Sequence, residues 1–89
     1  MIKNTITISN RLGLHARASA KLTKLAGSFK SEVFMRRGDR RINAKSIMGV
    51  MMLAAGMGTD VEVEAEGPDE NEAMVALLAL ISGKFGEGE

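Results

Sequence analysis

The sequence predicts an α+β fold, an open-faced sandwich in which a four-stranded antiparallel sheet is covered on one face by three helices. Three observations carry this expectation. Residues 2–8 and 60–66 alternate apolar and polar side chains with the period of two that a half-buried strand requires. Residues 32–37 and 40–43 flank Gly38-Asp39, a two-residue hairpin signal. Apolar residues recur at helical spacing in the segments that remain, which gives the order β-α-β-β-α-β-α.

The elements follow in chain order. Ile2, Ile6 and Ile8 alternate with Lys3, Thr5 and Thr7 to make a first strand. After the turn-like run Asn10 to Gly13, residues Ala18, Leu22, Leu25 and Ala26 predict a helix of about three turns behind His15, with Gly27 as its C-cap. Glu32–Arg37 and Arg40–Asn43 make the hairpin, with Val33, Met35 and Ile42 on its buried face and a strongly basic tip. Ser46 is a good N-cap for a short, unusually apolar helix through Leu53 that ends at Ala54-Ala55-Gly56, and Gly58 is expected to leave the next connection flexible. Asp60 to Glu66 alternates acid and apolar throughout, so one face meets the core and the other meets water or basic neighbours. Beyond Gly67-Pro68, Asp69 with Glu72 has the form of a capping box. Met74, Leu77, Leu78, Ile81 and Phe85 then trace one stripe of a long final helix with a frayed tail, Gly86-Glu87-Gly88-Glu89. No linker, repeat or second core is visible, so residues 1–89 are expected to form one domain.

Composition narrows the function. A chain of 89 residues, 45% of them hydrophobic, encloses few deep cavities, so a large closed active site is not expected. Cysteine is absent, the amino terminus does not open a signal-like apolar run, and no stretch reaches membrane-spanning length; the expectation is a soluble cytoplasmic protein. No metal-binding or nucleotide-binding motif is present, so no metal or cofactor is expected. The net charge of +1 hides a division: residues 1–45 carry eleven of the twelve Lys and Arg, whereas residues 46–89 carry nine of the eleven acids. Such asymmetry fits a basic nucleic-acid face, or two halves that interleave and neutralise each other across a sheet.

The candidate chemistry lies in Gly13-Leu14-His15-Ala16-Arg17, where a turn opens directly into a helix. Imidazole is the side chain best suited to act as nucleophile and proton carrier near neutral pH. With His15 as N-cap, the N–H groups of Ala16, Arg17 and Ala18 fall in the first turn, unpaired within the helix and aimed at an anion held on the ring. The helix dipole adds roughly 0.3–1 kcal/mol at an exposed site, and Arg17 can add a charge-assisted hydrogen bond. The same field disfavours an imidazolium, which leaves the neutral ring as the expected nucleophile.

Gly13 to Arg17 after an amino-terminal strand, with Ala44-Lys45-Ser46-Ile47-Met48-Gly49 some thirty residues on, resembles the histidine-containing phosphocarrier (HPr) family of the phosphoenolpyruvate-dependent sugar phosphotransferase system. The resemblance extends through the βαββαβα order, the acidic strand and the final helix. It implies a phosphoryl shuttle in which Enzyme I phosphorylates Nδ1 of His15 and an Enzyme IIA domain receives the group. Such a protein is a covalent relay with no substrate pocket of its own. The resemblance also implies that Ser46, besides capping its helix, is a target of HPr kinase/phosphorylase, which would add about −1.5 to −2 charges there. One departure is clear: many members of the family carry proline after the motif arginine, whereas this chain has Ala18, which lacks the fixed φ but keeps an N–H.

A short helix lying on a sheet cannot bury every side. Val50 and Leu53 are therefore assigned to the core, and Ile47, Met48, Met51 and Met52 to an adaptable docking patch. Arg17, Lys21, Lys24 and Lys45 are expected to steer acidic partners onto a monomer. Two other readings compete with this one. A nucleic-acid-binding domain would use the basic hairpin, but only Phe29, Phe34 and Phe85 are aromatic, and Gly56-Met57-Gly58-Thr59 lacks the basic GxxG clamp. An HPr-like regulatory adaptor with an inert His15 is disfavoured by the intact His and Arg.

Overall fold

The computed structural model describes residues 1–87. Strand β1 (Ile2–Thr7) is followed by α1 (Ala16–Gly27), the hairpin β2 (Glu32–Arg37) and β3 (Arg40–Asn43), α2 (Ile47–Met52), β4 (Asp60–Glu66) and α3 (Glu70–Ser82), with a 3-10 turn at Lys84–Gly86. The four strands form one antiparallel sheet in the order β1-β4-β2-β3. The helices cover one face, as the patterning predicted.

Register follows from which side chains must be dry. Val61, Val63 and Ala65 of β4 are buried, and they stand opposite Ile6, Asn4 and Ile2 of β1. On the other side of β4, Val33 and Met35 pair with Ala65 and Val63, and Met35 also faces Ile42 of β3. This face packs against Leu22 of α1, Val50 of α2 and Leu77 and Ile81 of α3. Each such side chain contributes about 1.5–3 kcal/mol on full burial.

Insertion of β4 between β1 and β2 resolves the charge division. The acidic strand lies beside the basic hairpin, with Glu62 opposite Arg36 on one side and Glu64 opposite Lys3 on the other. Glu64 is only 2% exposed. Its carboxylate accepts from Arg41 Nε at 3.2 Å and Nη2 at 3.1 Å, while the guanidinium lies 3.8 Å over the Phe34 ring. The hydrogen bond from Arg41 holds the Glu64 carboxyl below its ordinary pKa of 4.5, against the opposite push of burial. Arg37 donates to the carbonyls of Leu53 and Ala54, and Arg40 to that of Met52. These are carbonyls at the end of α2 that the helix itself leaves without donors. Arg37, Arg40 and Arg41 thus serve the fold.

Four local expectations are corrected. Asp69 is the N-cap of α3, but it makes no capping bond and forms no box with Glu72. Its carboxylate instead accepts from the backbone N–H groups of Lys30 and Ser31, both at 2.9 Å, and from the Ser31 hydroxyl, and Gly67 N–H donates to Glu70. These bonds, that from the Ser31 hydroxyl foremost, lower its pKa from 3.8 to about 2. The final helix stops at Ser82, because Lys84 and Phe85 adopt positive φ of 56° and 57°; Phe85 still reaches the core from the turn. Gly27 is the last residue of α1, and Ser28 is its C-cap. The connection at Gly58 is pinned, since Gly58 N–H donates to Ile8 O at 2.7 Å and Ile8 N–H to Thr59 O at 2.8 Å.

Candidate functional site

The loop before α1 is shaped by close approach. Gly13 has φ +63°, and a Cβ there would stand 2.5 Å from the Ala55 carbonyl oxygen and 2.7 Å from Gly56 Cα. Only glycine lets the loop lie on the segment that follows α2, where Leu14 N–H donates to Ala55 O at 2.9 Å. Leu14 is buried, Ser19 Oγ donates to its carbonyl at 3.1 Å, and His15 follows in an extended conformation as the N-cap.

His15 makes no side-chain capping bond. The helical ladder opens with Ser19 N–H to His15 O at 2.8 Å, so the N–H groups of Ala16, Arg17 and Ala18 precede it in the first turn. The His15 side chain is 26% exposed, and its Nε2 lies 2.6 Å from Glu87 Oε2. A carboxylate only accepts, so the ring proton resides on Nε2 and the lone pair of the neutral ring on Nδ1.

Glu87 arrives from the opposite end of the chain. Burial of Phe85 seats the turn Lys84–Gly86, and Lys21 Nζ donates to Phe85 O at 2.7 Å. The second carboxylate oxygen of Glu87 accepts from Asn10 Nδ2 at 3.1 Å. Partial burial pushes the Glu87 carboxyl upward, but the hydrogen bonds from His15 and Asn10 and the nearby charge of Lys21 prevail and hold it below 4.5. Glu87 belongs to the segment expected to fray; Gly88 and Glu89, the rest of that tail, lie outside the described residues.

His15, Arg11, Leu12, Arg17, Lys21 and Glu87 line a cleft of about 700 Å³. Arg17 is exposed and, among the described residues, makes no hydrogen bond or ion pair. Ala16 is exposed and Ala18 is fully buried. The remaining cations have different settings. Lys21 shares the cleft but is tied to Phe85 O, Lys24 lies in a separate apolar groove with Leu25 and Leu80, and Lys45 donates to Phe29 O at 3.0 Å.

The histidine motif and the fold lead to one family. A family model described as the PTS HPr component phosphorylation site matches residues 2–83. The chain is 66% identical over 89 residues to the phosphocarrier protein HPr of Cupriavidus necator, covering 100% of both sequences. The chain belongs to the HPr family. Its backbone matches a crystal structure of HPr from Thermoanaerobacter tengcongensis with a TM-score of 0.95 at 46% identity, over 98% of each chain. A second structure from that organism, an HPr dimer, matches at 0.79 and 46% over 98% of this chain and 100% of the other.

The second motif of this HPr chain forms the start of α2. Ser46 is exposed, and its Oγ accepts from Gly49 N–H at 3.1 Å. A Cβ on Gly49 would come 3.2 Å from Asn43 O and 3.4 Å from Ser46 Oγ, so glycine lets the turn close tightly. Val50 and Leu53 are buried, while Ile47, Met48, Met51 and Met52 range from 39% to 70% exposed, dividing α2 as its sequence predicted. Four residues of the site escaped sequence reasoning: Arg11 and Leu12 in the cleft, the latter 68% exposed, with Asn10 and Glu87.

Proposed function

We propose that this phosphocarrier accepts a phosphoryl group on Nδ1 of His15 from phosphorylated Enzyme I and passes it to an Enzyme IIA domain. The carboxylate of Glu87 on Nε2 carries this assignment, because it leaves Nδ1 with the lone pair. As Nδ1 attacks phosphorus, the N–P bond forms while the bond to the donor breaks. The transferring group is largely metaphosphate-like, so the carrier has to position the ring and stabilise charge. Positive charge that develops on the imidazole is met by Glu87, and negative charge on the phosphoryl oxygens by Arg17 and the first-turn N–H groups of Ala16, Arg17 and Ala18.

Ile47, Met48, Met51 and Met52, with Leu12 beside the ring, form the apolar part of the docking face. Methionine adapts to different partners, as a relay between donor and acceptor requires. Arg17 and Lys24 supply positive charge for acidic partners, with Lys21 held at the edge of the cleft. Ser46 stands exposed at one end of α2, where a phosphate from HPr kinase/phosphorylase would place negative charge against the same partners. The protein acts as a cytoplasmic single-domain monomer. No described helix is long and apolar enough to cross a membrane.

The test is incubation with Enzyme I and labelled phosphoenolpyruvate. Wild-type protein is expected to acquire acid-labile, base-stable label, and His15→Ala none. Label undiminished in His15→Ala defeats the assignment.

A further inference from the structure

The side chain of Asn10 is a fully buried polar group for which phosphoryl transfer assigns no task. Its Nδ2 donates to Gly13 O at 2.7 Å and to Glu87 Oε1 at 3.1 Å. Both partners are acceptors only, which fixes the amide: with its ends exchanged, Oδ1 would face two acceptors. Oδ1 consequently has no hydrogen-bond partner among the described residues. A buried acceptor left unpaired is unfavourable, so the donor contacts dominate this placement.

We propose that Asn10 is a positioning residue for His15, acting through Glu87. One N–H of its amide grips the loop that carries the histidine, and the other grips the carboxylate that orients the ring. The loop, the carboxylate and Nε2 are thereby held in one chain of hydrogen bonds, Gly13 O to Asn10 to Glu87 to His15. Glu87 has two oxygens and divides them, Oε1 to Asn10 and Oε2 to the ring, so its carboxylate plane is set from both sides. The other charged groups about this carboxylate are Lys21 from α1, whose Nζ is engaged by Phe85 O, and Arg11 and Arg17, which line the same cleft. Among the described residues, neither Lys21 nor Arg17 bonds His15 in place of Glu87. The consequence is a ring whose Nδ1 is presented before a partner docks. This inference rests on Nδ1 as the accepting atom, but its primary readout does not require transfer.

That readout is the 15N NMR signature of the His15 ring above its titration, in wild type, Asn10→Ala, Asn10→Asp and Glu87→Gln. Wild type is expected to be predominantly protonated on Nε2. Asn10→Ala should shift population toward the Nδ1-protonated form, and Asn10→Asp should shift it further by placing a carboxylate against Glu87. Asn10→Ala is expected to lower the maximal rate of phosphoryl acceptance about three- to tenfold with little change in KM for Enzyme I. Combined with Glu87→Gln, it should add nearly nothing to the single Glu87→Gln effect. A folded Asn10→Ala with the wild-type tautomer balance overturns the proposal, as do additive effects of the two substitutions. Should the Asn10 variants fail to fold, the side-chain amide resonances of Asn10 decide: they move in Glu87→Gln if the contact exists, and their staying in place overturns it. A wild-type tautomer balance already favouring protonated Nδ1 would refute the assignment of the accepting atom itself.

Discussion

Two arginine-bearing regions of the molecule spend their charge in opposite ways. In the hairpin, Arg41 is stacked on Phe34 and paired with buried Glu64, while Arg37 and Arg40 are spent on the carbonyls that end α2. At the start of α1, Arg17 stands exposed in the His15 cleft and, among the described residues, bonds to nothing. A guanidinium whose donors are already satisfied contributes to the fold. One whose donors are unspent, beside an uncapped helix start, is the one to which the proposed function gives the phosphoryl group. Partnering of charge, more than its amount, separates structure from chemistry here.

The comparison breaks most visibly at Arg41. Arg41→Ala leaves the Glu64 carboxylate buried without its main partner and is expected to destabilise the protein by about 3 kcal/mol, at the low end for breaking a buried pair because the guanidinium is partly exposed. Denaturant titration measures this, and the folded fraction should transfer phosphoryl at the wild-type rate. Arg17→Ala is expected to do the reverse. Loss of a charge-assisted bond worth about 1.5–3 kcal/mol in the transition state slows acceptance from Enzyme I about ten- to a hundredfold, whereas stability stays within about 0.5 kcal/mol of wild type. A large stability loss in Arg17→Ala, or a large transfer loss in folded Arg41→Ala, would erase the distinction.

Smaller effects sharpen it. Arg40→Ala removes one donor from the end of α2 and should cost about 1 kcal/mol by the same titration. Ser46→Ala removes the cap on Gly49 N–H and should also cost about 1 kcal/mol, while Ser46→Asp preserves a capping oxygen and should slow transfer with little loss of stability. The smallest effects are acid-dependent. Glu64 and Asp69 have folded pKa values below their unfolded ones, so each contributes stability that is fully present above about pH 4–5 and is lost as pH falls through the folded value, about 2 for Asp69. Denaturation between pH 5 and pH 2 should show that slope, and Asp69→Asn should flatten its lower part.

The strands and the helix starts were legible because their signals are local. Alternation in Ile2–Thr7 and Asp60–Glu66, the Gly38-Asp39 turn and the Ser46 cap each depend on neighbours within a few residues. The division of α2 into buried Val50 and Leu53 and exposed Ile47, Met48, Met51 and Met52 was legible for the same reason, since a single helix on a sheet has one dry side. Asp69 misled because its pattern with Glu72 is also local, whereas the group that claims its carboxylate, Ser31, lies 38 residues away. Glu87 lay hidden in a glycine-rich tail, 72 residues from the histidine it meets.

By itself the sequence determined the order of elements, the faces they bury and the placement of His15 and Arg17 at a helix start, because backbone propensity and side-chain periodicity act over one or two turns. Only the tertiary structure decided which charges are spent and which nitrogen of His15 meets a carboxylate. Those outcomes depend on contacts between Asn10, His15 and Glu87, and between Arg41 and Glu64, that exist once the two ends of the chain and the two halves of the sheet have been brought together. A hydrogen bond is a matter of distance in space, and distance in space is what the fold supplies.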